Sequence, residues 1–133
     1  MRYLGLDLGT RTLGLAYSEG VIASSLKTIR YIEEEYLIEE LKKVIEEYKI
    51  DLLVLGLPKN MDNTMGPRAI STLEFKEKLE SFGYKVELQD ERLSTVSAHN
   101  YMIEADMSRK KRKEKVDALA ATIILQTYLE RRK

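Results

Sequence analysis

Short apolar runs bounded by turn-forming residues fill the first part of the chain. Residues 2–8, RYLGLDL, alternate small and bulky side chains and predict a strand. Gly9-Thr10 reads as a turn and Leu13 to Ser18 as a second strand, so the pair suggests a hairpin. Val21 to Ile29 predicts a third, weaker strand, because Ser24 and Ser25 interrupt it. The period then changes. Across residues 33–48, Leu37, Leu41, Val44 and Tyr48 recur at helical spacing behind a leading group of acids that suits the helix dipole. Asp51 to Gly56 is a continuous apolar run, the signature of a strand buried on both faces and typically parallel. Residues 57–67 hold Pro, Asn, Asp and Gly and predict a loop. Arg68 to Phe82 reads as a helix stopped by Gly83, and Lys85 to Gln89 as a short strand. Ser94 or Thr95 can cap a helix running to about Glu104, and a basic loop at 109–113 precedes a last helix from about Glu114 to Arg131.

An opening meander followed by βαβ units implies an α/β fold, a mixed sheet with helices on its faces. The 133 residues match one ordinary domain, and no linker, repeat or low-complexity segment divides them, so residues 1–133 are expected to form a single domain. The chain lacks cysteine, which excludes thiolate metal sites, thiol nucleophiles and disulfides. Its one histidine, His99, sits mid-helix beside Asn100 and reads as structural or solvated. No run approaches the roughly 20 apolar residues of a membrane span, and the N-terminus has no signal-like stretch, so a cytoplasmic, reducing location is expected. Lys plus Arg (22) balance Asp plus Glu (22), which argues against a generally sticky nucleic-acid coat protein but leaves room for a local basic patch.

Three carboxylates stand out. On an extended first strand Tyr3, Gly5, Asp7 and Gly9 share one face and Leu4, Leu6 and Leu8 the other. A mid-sheet carboxylate costs several kcal/mol unless paired or bound to metal, and the glycines on its face leave room for an ion and a phosphate. The bland reading is an Asp tethering the Gly9-Thr10 turn. Asp90 and Glu91 follow the last strand, at the strand end where open α/β sheets place ligands; taken alone, a solvated loop acid, with Asp90 assisting a turn, is the commoner reading. Asp117 shares a helix face with Ala120, Ala121 and Ile124, where small residues let the helix approach the sheet; an acid stabilised by the helix dipole is the alternative. Oxygen ligands alone suit Mg²⁺ or Mn²⁺, and two such ions can support phosphodiester cleavage. Arg109, Lys110, Lys111, Arg112 and Lys113 repel one another unless a polyanion neutralises them, and with Arg68, Arg92 and Lys59 they suggest a phosphate-binding rim; plain solubilisation is the common alternative. Arg11 and Asn60 complete the set expected to touch nucleic acid.

Four segments together, Asp7 to Ala16, Gly56 to Ala69, Asp90 to Thr95 and Val116 to Gln126, resemble the YqgF/RuvX family over nearly the whole chain. These are RNase H-like proteins described as Holliday junction resolvases or as nucleases that mature pre-ribosomal RNA. The resemblance implies that Asp7, Glu91 and Asp117 are the catalytic, metal-binding acids, with the Gly-Leu-Pro and Gly-Pro-Arg segments flanking the site. It also implies a five-stranded mixed sheet in the order 3-2-1-4-5, the first three strands antiparallel, with helices on both faces. The chain departs from the family at Thr12, where a basic residue is frequent, and at Lys59, where an apolar one is common.

The preferred reading is therefore a Mg²⁺- or Mn²⁺-dependent hydrolase, an endonuclease or exonuclease. Its partners would be precursor 16S rRNA, in ribosomal precursor particles, or branched DNA, and it would act as a monomer or homodimer with no membrane association. Two others stand beside it. Leu-Asp-Leu-Gly-Thr also resembles the phosphate loop of ATP-binding proteins of the actin and sugar-kinase type, although those close a nucleotide between two such domains. A non-catalytic nucleic-acid binding factor is the third. The scattered tyrosines (3, 17, 31, 36, 48, 84, 101 and 128) read as half-buried packing residues rather than a base-stacking platform.

Overall fold

The computed structural model describes residues 1–58, 66–90 and 109–132, the last stretch with side chains from residue 118 onward. Five strands, β1 (Tyr3–Leu8), β2 (Thr12–Ser18), β3 (Ala23–Arg30), β4 (Leu52–Leu57) and β5 (Val86–Asp90), form one sheet in the order β3-β2-β1-β4-β5. The hairpin partners β1, β2 and β3 pair antiparallel, and β1, β4 and β5 run parallel. Helices α1 (Glu34–Tyr48) and α2 (Pro67–Ser81) cover one face, and α3 (Arg109–Arg131) covers the other.

Each element follows from its pattern. The stripe of α1 buries Leu37, Ile38, Leu41, Val44 and Ile45 against Leu4, Leu6, Leu53 and Leu55; each such side chain contributes about 1.5–3 kcal/mol. All six residues of β4 are buried, as a central parallel strand between two helical layers requires. The α3 face is built differently. Ala121, Ile124, Leu125, Tyr128 and Leu129 pack on Ala16, Leu52 and Val54. At the outer edge Gln126 accepts from the Ala23 amide at 2.8 Å and donates to the Val21 carbonyl at 3.1 Å, and Ser25 and Thr122 share a hydrogen bond of 2.8 Å. The serines that weakened the third-strand prediction thus belong to an edge strand, where the Ser25 hydroxyl finds a partner on α3. No described helix is long and apolar enough to cross a membrane.

One expectation is corrected. The basic run 109–113 is not a loop: α3 begins at Arg109 and carries all five cations in its first turns. Arg, Lys and Glu are good helix formers, and no Gly or Pro separates Arg109 from Asp117, so backbone propensity outweighs like-charge repulsion. The predicted helix from Ser94 or Thr95 to about Glu104 and most of the predicted loop 57–67 lie outside the described residues.

Candidate active site at the carboxyl edge of the sheet

Because β1, β4 and β5 are parallel, their carboxyl ends share one edge, and Asp7 is the penultimate residue of β1 on that edge. It is only 4% exposed. Alternation puts it on the α3 face with Gly5, as the sequence suggested, but the glycines above and below it serve a different purpose. A Cβ on Gly5 would lie 2.8 Å from Leu125 Cβ and 2.9 Å from the Ala121 carbonyl oxygen, so the missing side chain makes room for α3. A Cβ on Gly9 would meet Thr12 Oγ1 at 2.8 Å within its own turn. Neither position is open to a ligand.

The room beside Asp7 lies sideways. Asp7 pairs with Gly14 on β2. On the other side Leu6 pairs with Leu55, so Asp7 and Gly56 follow as the next residues, and Gly56 pairs in turn with Gln89. Paired residues point to the same face, and the row therefore reads Gly14, Asp7, Gly56, Gln89. The carboxylate has a residue without a side chain on each flank. Gln89 is itself 6% exposed, and its Oε1 has no hydrogen-bond partner among the described residues. Sequence reasoning missed this row, because strand register and not chain order creates it.

Helix α3 is laid along β1 in the opposite direction. Tyr128 packs tilted against Tyr3 with ring centroids 6.3 Å apart, and Leu125 and Ala121 meet Gly5. One helical turn further, from Ala121 to Asp117, covers about 6 Å, and two strand residues, from Gly5 to Asp7, cover about 6.6 Å. The backbone at position 117 is thus level with Asp7. Small residues make the approach possible, since Ala118, Ala120 and Ala121 are all buried.

The remaining predicted residues separate into four groups. Arg68, at the start of α2, donates from Nη2 to the Leu8 carbonyl at 3.1 Å and so ties α2 to the exit of β1. Arg11 is exposed in the β1–β2 turn, apart from Asp7, in a hollow with Arg30, Tyr31 and Tyr36. Lys59, Asn60, Glu91, Arg92 and His99, and the side chains of Arg109 to Lys113 and of Asp117, lie outside the described residues. Asp90 ends β5 opposite Leu57.

A cleft of about 640 Å³ between α1 and α2 opens below the Gly9-Thr10 turn, on the face opposite Asp7. The Lys78–Glu34 ion pair, 3.1 Å long, links its two helices. Tyr31 braces it, donating from its hydroxyl to the Gly9 carbonyl at 3.0 Å. Burial, with Glu34 nearby, pushes that hydroxyl above its ordinary pKa, so it stays protonated and donating. No sequence signal pointed to this cleft, since its walls come from distant segments.

Among the described residues no three Asp, Glu, His or Cys side chains converge on one point. What the described residues do supply is compatible with a hard cation: a buried carboxylate between two glycines and a buried amide oxygen in the same row.

Known proteins resemble this chain in sequence and in fold. The family model described as "RuvX: Holliday junction resolvase" matches residues 1–131. A Geobacillus sp. (strain WCH70) protein provisionally named as a pre-16S rRNA nuclease is 51% identical over 135 residues, covering 98% of each chain. Among solved structures, the fowlpox virus Holliday junction resolvase superposes with a TM-score of 0.62 at 11% identity over 100% of both chains. Thermus thermophilus RuvC does so with a TM-score of 0.57 at 13% identity, covering 99% of this chain and 96% of that one. At such identities these two likenesses concern the fold, a RuvC-like RNase H fold.

Proposed function

Since this chain belongs to the RuvX family, we propose that it is a divalent-metal-dependent nuclease of one domain that hydrolyses phosphodiester bonds in structured nucleic acid, acting on the 5′ end of precursor 16S rRNA. The observation that carries the reading is Asp7, a buried carboxylate at the carboxyl edge of β1, flanked by Gly14 and Gly56 and faced by α3. In this reading Asp7, Glu91 and Asp117 hold Mg²⁺ or Mn²⁺. The backbone level of residue 117 supports its inclusion, and Glu91 is the residue that directly follows β5. When bound, such an ion supplies Lewis acidity at the phosphate and a lowered pKa for water. The chain's own part is to orient. Gly14 and Gly56 admit the phosphate beside Asp7, the packed α3–β1 contact fixes the spacing of the acids, and Arg68 anchors the strand exit. Lys59, Asn60, Arg92 and the run Arg109 to Lys113 contact the phosphate backbone, a role that positions substrate without reading its bases.

The choice of precursor rRNA follows the naming of relatives at about half identity. The family description favours a second reading, resolution of Holliday junctions in DNA. A cleavage panel separates them: precursor small-subunit rRNA against a four-way junction, with Mg²⁺, Mn²⁺ or EDTA. Asp7→Asn should remove cleavage of whichever substrate is cut, and cleavage surviving both that change and EDTA overturns the site. A readout independent of activity exists as well. Mg²⁺ at about a hundred times its Kd should stabilise the wild-type fold by about 2.7 kcal/mol in thermal unfolding, and should stabilise Asp7→Asn far less.

A further inference from the structure

One strand beyond Gly56, in the row that holds Asp7, Gln89 is a buried side chain that packing alone does not explain. Its neighbours on β5 fix its face. Glu87 meets Arg132, just past α3, at 3.1 Å, while Val86 packs in the core under α1 and α2. Gln89 therefore points to the α3 face, where an apolar side chain would fill its place equally well. The amide is held one way round. Nε2 donates to the Asp90 carbonyl at 3.3 Å, and a flip would set Oε1 against that carbonyl. Oε1 is left with no donor among the described residues. A buried acceptor without a donor destabilises a fold, so its presence calls for an occupant that supplies one.

We propose that Gln89 is a positioning residue for the divalent cation, its Oε1 accepting a hydrogen bond from a water in the hydration shell of the ion held at Asp7. The proposal rests on the nuclease reading and adds a neutral group to that site's three acids. Distance selects a water-mediated contact. Gln89 and Asp7 lie two strands apart, about 10 Å backbone to backbone, and no side chain of the sheet stands between them because residue 56 is glycine. Opposite oxygen ligands of one Mg²⁺ are only about 4 Å apart. An intervening water extends the span to about 7 Å, which side chains inclined toward each other across a glycine can meet. Such ions keep several waters, so donors are at hand. Charge explains the residue type. A fourth carboxylate would add charge to a site that three acids already make negative, whereas an amide oxygen only accepts and orients the water without it. A buried water in the absence of metal is the competing occupant.

The test titrates the full chain with Mn²⁺, counting free ion by its EPR signal, and reads thermal unfolding in EDTA alongside. Gln89→Met keeps the length of the side chain and removes the acceptor. It should weaken Mn²⁺ binding by about 10–100-fold and raise the unfolding temperature in EDTA by about 3 °C. These opposite signs are the signature, since an amide with a purely structural role would lose stability on replacement and leave metal affinity alone. Gln89→Glu restores an oxygen acceptor and should bind Mn²⁺ at least as tightly as wild type, while unfolding more readily in EDTA. Unchanged Mn²⁺ affinity in Gln89→Met, or an affinity in Gln89→Glu as low as in Gln89→Met, overturns the proposal. A lower unfolding temperature of Gln89→Met in EDTA overturns it too, because Oε1 is then satisfied by water without metal. Asp7→Asn reads the parent claim separately. Where it binds Mn²⁺ as wild type does, or wild type binds none, the site falls and Gln89 with it; where it loses Mn²⁺ and Gln89→Met does not, only the role of Gln89 falls.

Discussion

One methyl group at residue 5 would press on the contact that sets the spacing of the proposed acids. Its Cβ meets Leu125 Cβ at 2.8 Å and the Ala121 carbonyl at 2.9 Å, and neither is the yielding tip of a long side chain. Gly5→Ala should therefore destabilise the fold by about 1–3 kcal/mol, measured by urea unfolding. It should also lower the cleavage rate of protein that remains folded, because α3 must shift on β1. Unchanged stability would mean that the helix is not seated as closely as described. That Asp7 shares a face with Gly5, away from the leucines, was legible in the sequence, since alternation along one strand needs only local information. Its flanking glycines were not. Gly14 and Gly56 become neighbours of Asp7 through strand register, and Gly5 reads as open space until the helix that fills it is known.

At the scale of the element, the two helices that lead into parallel strands end alike but with different residues. In α2, Gly83 adopts φ +94°; its amide donates to the Glu80 carbonyl at 2.9 Å and the Tyr84 amide to the Leu79 carbonyl at 3.4 Å. In α1, Lys49 takes the corresponding place at φ 52°, with Lys49 donating to Glu46 at 3.3 Å and Ile50 to Ile45 at 3.0 Å. These are paired closing bonds around a left-handed residue. A side chain there costs roughly 1–2 kcal/mol. Lys49→Gly should accordingly stabilise the protein by about 1 kcal/mol, and Gly83→Ala should destabilise it by a similar amount. Among the described residues, chain neighbours aside, no atom lies within 4 Å of a Gly83 Cβ, so that loss would be backbone strain. Denaturant midpoints of the two variants check both signs. Gly83 was readable as a stop signal because glycine marks one, and Lys49 was not, because lysine does not. The same asymmetry explains α3. Its apolar face was plain from periodicity, while its true start was hidden by a charge run that looks like a loop and has the backbone propensity of a helix.

For the whole molecule, a mixed sheet with helices on its faces was legible in the patterns of the chain and the sheet order in its family resemblance, whereas the placing of α1 and α2 on one face and α3 on the other comes from the structure. The distribution of charge does not reduce to a composition. Net charge is zero, with 22 basic and 22 acidic residues, yet five consecutive cations open α3 at Arg109. From residue 117, level with Asp7, the helix extends about 12 Å back to residue 109, which carries the run past the carboxyl edge. Cations at a helix N-terminus oppose its dipole by roughly 0.3–1 kcal/mol each at low salt, so local stability works against this arrangement and a polyanion would relieve it. If the run grips phosphates, a chain of no net charge should still show a steep fall of affinity with salt. The logarithm of the association constant should drop by about 0.9 per neutralised phosphate for each unit of log salt. Replacing Arg109, Lys110, Lys111, Arg112 and Lys113 by glutamine should flatten that slope by about one for each phosphate no longer held, while the helix, relieved of its cations, should become no less stable. A slope unchanged by the replacement would mark the run as a solvated helix end and leave binding to Arg11, Lys59 and Arg92.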